Sequence, residues 1–351
     1  MRNVLTTPIP KELFLWWNIG SILGIMLVIQ IISGLFLVAR FSVRDYSFDS
    51  LIHIIRDTNN GWFLRLVHCN GASMYFFFIY LHIGRALYYK RAYTNKIVYF
   101  VGILIYVVRI IIAFVGYVLP IGQIRFWGAT VITNLLSAIP YVGTTLVRWI
   151  WGGFSVRTTT LSRFFTIHFI APFFIAFLSL LHLFILHKGG RTNPLGIKTH
   201  HNKVTFYPYY FFKDSITWIL VALFIFTLVY FLGYSLMDPE NFIPANQLVT
   251  PTHIQPEWYF LFAYAILRAI PRKIGGVIGL IRAILFLFFI PFNRKSVMYP
   301  TRTSCAQQII IFSFFSCFLL LSWLGAQPVE EPYIVCRQTV SLFYFIFLFL
   351  L

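Results

Sequence analysis

Charge is scarce in this chain. Only 11% of its 351 residues are charged, against about a quarter in a soluble domain, so a water-facing surface is excluded for most of the molecule. Acids are the scarcest group, ten Asp and Glu against 28 Lys and Arg, for a formal charge of +18. Such an excess could serve nucleic acid, but no Lys/Arg-rich run occurs; the basic residues are scattered in short segments, as they are beside membrane spans. No nucleic-acid partner is expected. The four cysteines, Cys69, Cys305, Cys317 and Cys336, form neither CxxC nor CxxCH, which removes a zinc knuckle and a covalent c-type haem attachment. The alternating segments of about ten residues that mark an outer-membrane barrel are missing. The opening MRNVLTTPIPKELFLWW lacks the charged, apolar and small-residue order of a removed targeting segment, and none is expected.

What is abundant is apolar length: 59% of residues are hydrophobic and the mean hydropathy is +0.79. Runs long enough to cross about 30 Å of hydrocarbon need about 20 helical residues. Eight qualify, at roughly 17–40 (A), 62–89 (B), 97–118 (C), 164–187 (D), 213–234 (E), 274–292 (F), 307–325 (G) and 336–351 (H). The expected fold class is an all-α membrane protein of about eight transmembrane helices, with helices A–D as a four-helix bundle. An even count puts both termini on one side. That side holds eight of the nine lysines, which favours placing it inside, although Lys and Arg counted together divide almost evenly between the two faces. Two long loops, 119–163 and 235–273, fall on the opposite, outer face, and loops of that length tend to carry function.

Helices B and D share a pattern. In HCNGASMYFFFIYLH, His68 and His82 lie fourteen residues apart, and in HFIAPFFIAFLSLLH so do His168 and His182. Fourteen residues of helix advance about 21 Å and return to within roughly 40° of one face. B and D run in the same direction, so His68 and His168 share one depth near the outer side, and His82 and His182 another near the inner side. Intramembrane ionisable groups are costly and default to function. One neutral imidazole from each of two helices supplies the two axial positions of a haem iron, whereas zinc needs four ligands and no carboxylate or thiolate pair completes them. Gly20 and Gly34 in A, and Gly102 and Gly116 in C, repeat the fourteen-residue interval and would let a flat macrocycle approach the backbone. Arg65 and Arg85 lie one turn from the histidines and suit propionates. Arg109, seven residues from both Gly102 and Gly116, faces inward between the two levels or reaches out to lipid. A haem-free transporter relaying protons along four histidines is the rival from another class.

These pairs, with GYVLP at 116–120, WGATVITNLLSAIPYVG at 127–143, WIWGGFSV at 149–156, NPLGI at 193–197 and PEWYFLFAYAILRAIP at 256–271, closely resemble the mitochondrial cytochrome b family, the membrane core of ubiquinol-cytochrome c oxidoreductase, respiratory complex III. The resemblance runs from about Trp16 to Pro332. It implies two haem b groups, low-potential on His68/His168 and high-potential on His82/His182, and ubiquinol oxidation outside coupled to ubiquinone reduction inside. The outer pocket is implied at Gly128, Val131, Ile132, Pro256, Glu257, Tyr259 and Tyr264, with Glu257 as proton acceptor. The inner site is implied at Ser21, His187, Lys213 and Asp214. Implied partners are a Rieske iron-sulfur protein, a membrane-anchored c-type cytochrome and other complex III subunits, in a dimeric complex of the mitochondrial inner membrane. Residues 1–212 would form the di-haem half and 213–351 the C-terminal half.

Some positions depart from the family pattern. PIGQ at Pro120 to Gln123 stands where PWGQ is usual, Arg191 replaces a small polar residue near the inner site, and both ends are short. A bacterial di-haem quinol oxidoreductase with other electron partners is the rival within the same family.

Overall fold

The computed structural model describes residues 4–43, 46–189, 193–194, 202–292 and 304–351. Arg191, and Leu195 to Ile197 of the NPLGI motif, lie outside them. Eight helices among the described residues are long and apolar enough to cross a membrane, and the protein is a multi-pass membrane protein. Without water to satisfy its peptide groups, a spanning segment must hydrogen-bond to itself, and these apolar runs are accordingly helical.

Spans A to D are α1 (Ile19–Val38), α3 (Gly61–Tyr88), α5 (Lys96–Val118) and α8 (Thr158–Gly189), and span E is α9 (Phe211–Leu232). Spans F, G and H are α11 (Lys273–Leu285, continued by 3-10 turns to Phe292), α12 (Cys305–Ala326) and α13 (Tyr333–Leu350). Between them lie α2 (Ser47–Asp57), α4 (Arg91–Thr94), α6 (Gln123–Asn134), α7 (Gly143–Trp151) and α10 (Leu261–Ala269). On the inner side β1 (Pro8–Pro10) pairs antiparallel with β2 (Lys203–Thr205), with Ile9 opposite Val204.

One boundary and one whole helix depart from the hydropathy reading. Helix α8 begins six residues before position 164, because Thr158 to Arg163 is polar without being helix-breaking. The Thr160 hydroxyl accepts from Arg157 N at 3.1 Å and donates to Trp151 O at 2.8 Å, which ties the entry turn down. Helix α2 is absent from the sequence expectation: it buries Ser47, Leu51 and Ile54 while Asp49 and Arg56 are exposed, an amphipathic pattern too short and too polar for a span.

The four bundle helices pack closest as two pairs, α1 against α3 and α5 against α8. Helices α10 to α13 pack among themselves, and α9 lies against α1 and α3. The two long loops are stitched together on the outer side. Gln123 N donates to Ile243 O at 3.0 Å, and the Gln123 side chain donates to Val249 O and accepts from Asn246 N. Arg125 N donates to Asn241 Oδ1 at 3.2 Å, and Asn241 Nδ2 donates to the Tyr117 hydroxyl at 3.0 Å.

Candidate functional site

The histidines of α3 and α8 face one another in twos across the slot between the helix pairs. Ring centroids are 6.2 Å apart for His68 and His168 and 6.5 Å apart for His82 and His182. A metal–imidazole bond of about 2.0–2.1 Å on each side of one iron, plus the half-widths of the rings, gives about the same span. The residues present therefore fit a metal held between each pair.

Glycine sets this geometry from behind. The nearest atom to a Cβ built on each of the four is Cε1 of one histidine: 3.5 Å from Gly20 to His82, 3.1 Å from Gly34 to His68, 3.2 Å from Gly102 to His182 and 2.1 Å from Gly116 to His168. The glycines thus seat the imidazoles themselves, one each, as well as keeping the slot open. The outer pair is also fixed in orientation. His168 Nδ1 donates to Ile112 O at 2.9 Å, which leaves Nε2 with the lone pair. Ser33 Oγ donates to Ile29 O at 2.7 Å, so it accepts from His68 Nδ1 at 2.9 Å, and His68 Nε2 likewise keeps its lone pair.

Cavities meet at both pairs. Two of about 100 and 120 Å³ share His68, His168, Gly116 and Arg65. A larger one of about 560 Å³ is lined by Gly20, His82, Arg85, Gly102 and His182, and extends to Ser21, His187 and Asp214. The Arg85 guanidinium also lies 5.5 Å from the Trp17 ring centroid.

Two family descriptions match this sequence, Cytochrome b/b6/petB over residues 4–190 and Cytochrome b(C-terminal)/b6/petD over residues 244–345. The chain belongs to the cytochrome b family. It is 49% identical over 351 residues to cytochrome b of Albinaria caerulea, covering all of this chain and 96% of that one. It also superposes with TM-score 0.94 on a chain of a hyperthermophilic respiratory Complex III, at 30% identity, covering 99% of this chain and 92% of the other. Cytochrome b membership implies haem b and electron transfer, and the doubled histidine slot suits both.

Of the residues that the resemblance placed at the outer pocket, Glu257 and Tyr259 open on the 100 Å³ cavity beside His68 and His168. Gly128, Val131, Ile132, Pro256 and Tyr264 do not line it. Gly128 has open space where a Cβ would stand, Val131 is exposed, and the Tyr264 hydroxyl donates to Ile254 O at 3.2 Å. Desolvation pushes Glu257 up to about 7, against the pull of the Arg125 and Arg65 guanidinium groups. Burial also raises Tyr259, which keeps it a neutral phenol, its ring stacked on Phe76 at 4.1 Å.

At the inner site Ser21, His187 and Asp214 share the large cavity, and Lys213 does not line it. The Lys213 ammonium instead donates to Leu13 O and lies over the Tyr210 ring.

Sequence reasoning missed three site residues. Arg125 is buried, 4.6 Å from the Tyr117 ring centroid, and opens on the Glu257 cavity; an isolated basic residue inside apolar QIRFWG was its signal. Ser33, beside Gly34, is legible only once His68 is known to face α1. Arg91, which lines the inner cavity, reads in sequence as an ordinary loop charge.

Proposed function

We propose that the chain is the electron-transfer core of a ubiquinol-cytochrome c oxidoreductase running a Q cycle. The observation that carries this is the pair of opposed histidine couples at two depths, each ring backed by its own glycine. Bound there, two haem b groups supply one-electron carriers at levels about 21 Å apart along the helices, low-potential at His68/His168 and high-potential at His82/His182.

The chain's own residues handle protons and orientation. Outside, Glu257 accepts a proton from the quinol hydroxyl; with its pKa near 7 it takes and releases that proton at small cost near neutral pH. Tyr259 walls the passage from Glu257 to the outer histidines, and Gly128, Val131, Ile132, Pro256 and Tyr264 provide the surface against which the quinol ring lies. Arg65 and Arg85 hold the propionates at the two levels. Inside, His187 and Asp214 deliver protons to the quinone oxygens, Ser21 orients the ring, and Lys213 assists from the rim.

One electron leaves to a Rieske iron-sulfur protein and on to a membrane-anchored c-type cytochrome, and the other crosses to the inner quinone. These partners, further complex III subunits and a dimeric assembly in the mitochondrial inner membrane follow from the same reading, with residues 1–212 as the di-haem half and 213–351 completing the outer site. Reduced-minus-oxidised spectra of the complex test it. His68→Leu should remove one b-type component and His182→Leu the other, and a spectrum unchanged by both would overturn the proposal.

A further inference from the structure

Arg109 sits halfway along the α5 span and is 4% exposed. Arginine in hydrocarbon ordinarily reaches for the headgroups or an acid. Here the guanidinium turns inward and lies 3.9 Å from the Tyr75 ring centroid. Its Nε is buried without a hydrogen-bond partner, and no ion pair to it occurs among the described residues. A guanidinium cannot be deprotonated in a protein, so this is a permanent cation in a low-dielectric interior, where an unbalanced charge is expensive.

Its placement points to what balances it. Tyr75 is seven residues from both His68 and His82, as Arg109 is from both Gly102 and Gly116, so the cation stands between the two levels. The cavity it lines is the outer one, shared with His68, His168 and Gly116; it is not among the residues of the large inner cavity.

We propose that Arg109 is a tuning residue that raises the reduction potential of the outer haem. The proposal rests on the haem reading above. A haem held by His68 and His168 would become more negative by one charge on taking up one electron. A fixed cation facing it in low dielectric favours that more negative state. Because the guanidinium lines the cavity of the outer histidines and not that of the inner ones, the effect falls mainly on the outer haem and narrows the gap between the two.

The test is a potentiometric titration of both b-type components in membranes carrying the assembled complex. Arg109→Leu should make the outer haem at least tenfold harder to reduce at a fixed potential, about 59 mV for one electron, with a smaller change at the inner one. Arg109→Lys, which keeps the charge, should recover most of the difference; a packing role would not be rescued this way. Two haems titrating in Arg109→Leu with the outer midpoint unmoved, or both midpoints moving equally, would overturn this inference alone. Absence of b-type components from the unaltered complex would overturn the haem reading with it.

Discussion

A Cβ built on Gly116 stands 2.1 Å from Cε1 of His168, and its distances to the two ring nitrogens are 2.5 and 2.9 Å. The ring has little freedom to retreat, since its Nδ1 is tied to Ile112 O. Gly20 is different, with His82 Cε1 at an ordinary 3.5 Å. Gly116→Ala should therefore lose the outer b-type absorbance, while Gly20→Ala keeps the inner one. Equal tolerance at both positions, read from difference spectra, would mean that the glycines are mere helix-packing residues.

Arg125 and Arg65 pull Glu257 down while desolvation raises it to about 7. Quinol oxidation should thus rise with pH through about 7, as the carboxyl deprotonates and can accept. Removing the Arg125 cation lets the pKa climb, so Arg125→Gln should displace the pH profile of quinol-cytochrome c reductase activity to higher pH. A displacement to lower pH contradicts the assignment.

Ser33 fixes the His68 tautomer from α1. Loss of such a supporting partner typically costs about 10–100-fold in metal-site affinity or activity. Ser33→Ala should weaken retention of the outer haem on detergent washing and spare the inner one, as judged by residual b-type absorbance.

Among the inner residues, Asp214 and His187 share the cavity and Lys213 is turned towards Leu13 O. Positioned acid–base groups contribute about 10²–10⁴-fold. Asp214→Asn and His187→Asn should slow reoxidation of the b-type components by quinone at least tenfold while their reduction from the outer site persists, and Lys213→Gln should slow it less. Stopped-flow absorbance measures all three.

The spans were legible because apolar length is a one-dimensional property, and the bundle was legible because fourteen-residue spacing survives in any helix. The loop face was legible by parity. What stayed hidden depends on side-chain direction. Lys213 and Asp214 are neighbours in sequence, yet only Asp214 meets the cavity. The seven-residue spacing of Arg109 from Gly102 and Gly116 left inward and lipid-facing directions both open, and its burial against the Tyr75 ring of α3 decides for inward. Arg125 was overlooked because its burial comes from the opposite loop, through Asn241. Helix α2 was missed because a half-wet helix lacks the apolar run that reveals the others.

The most direct test is a haem count. Haem extracted from the purified complex and measured as its pyridine adduct, set against the amount of this chain, should give two non-covalent haem b per chain, titrating as two separate one-electron components. One haem per chain, or none, would contradict the paired-histidine account.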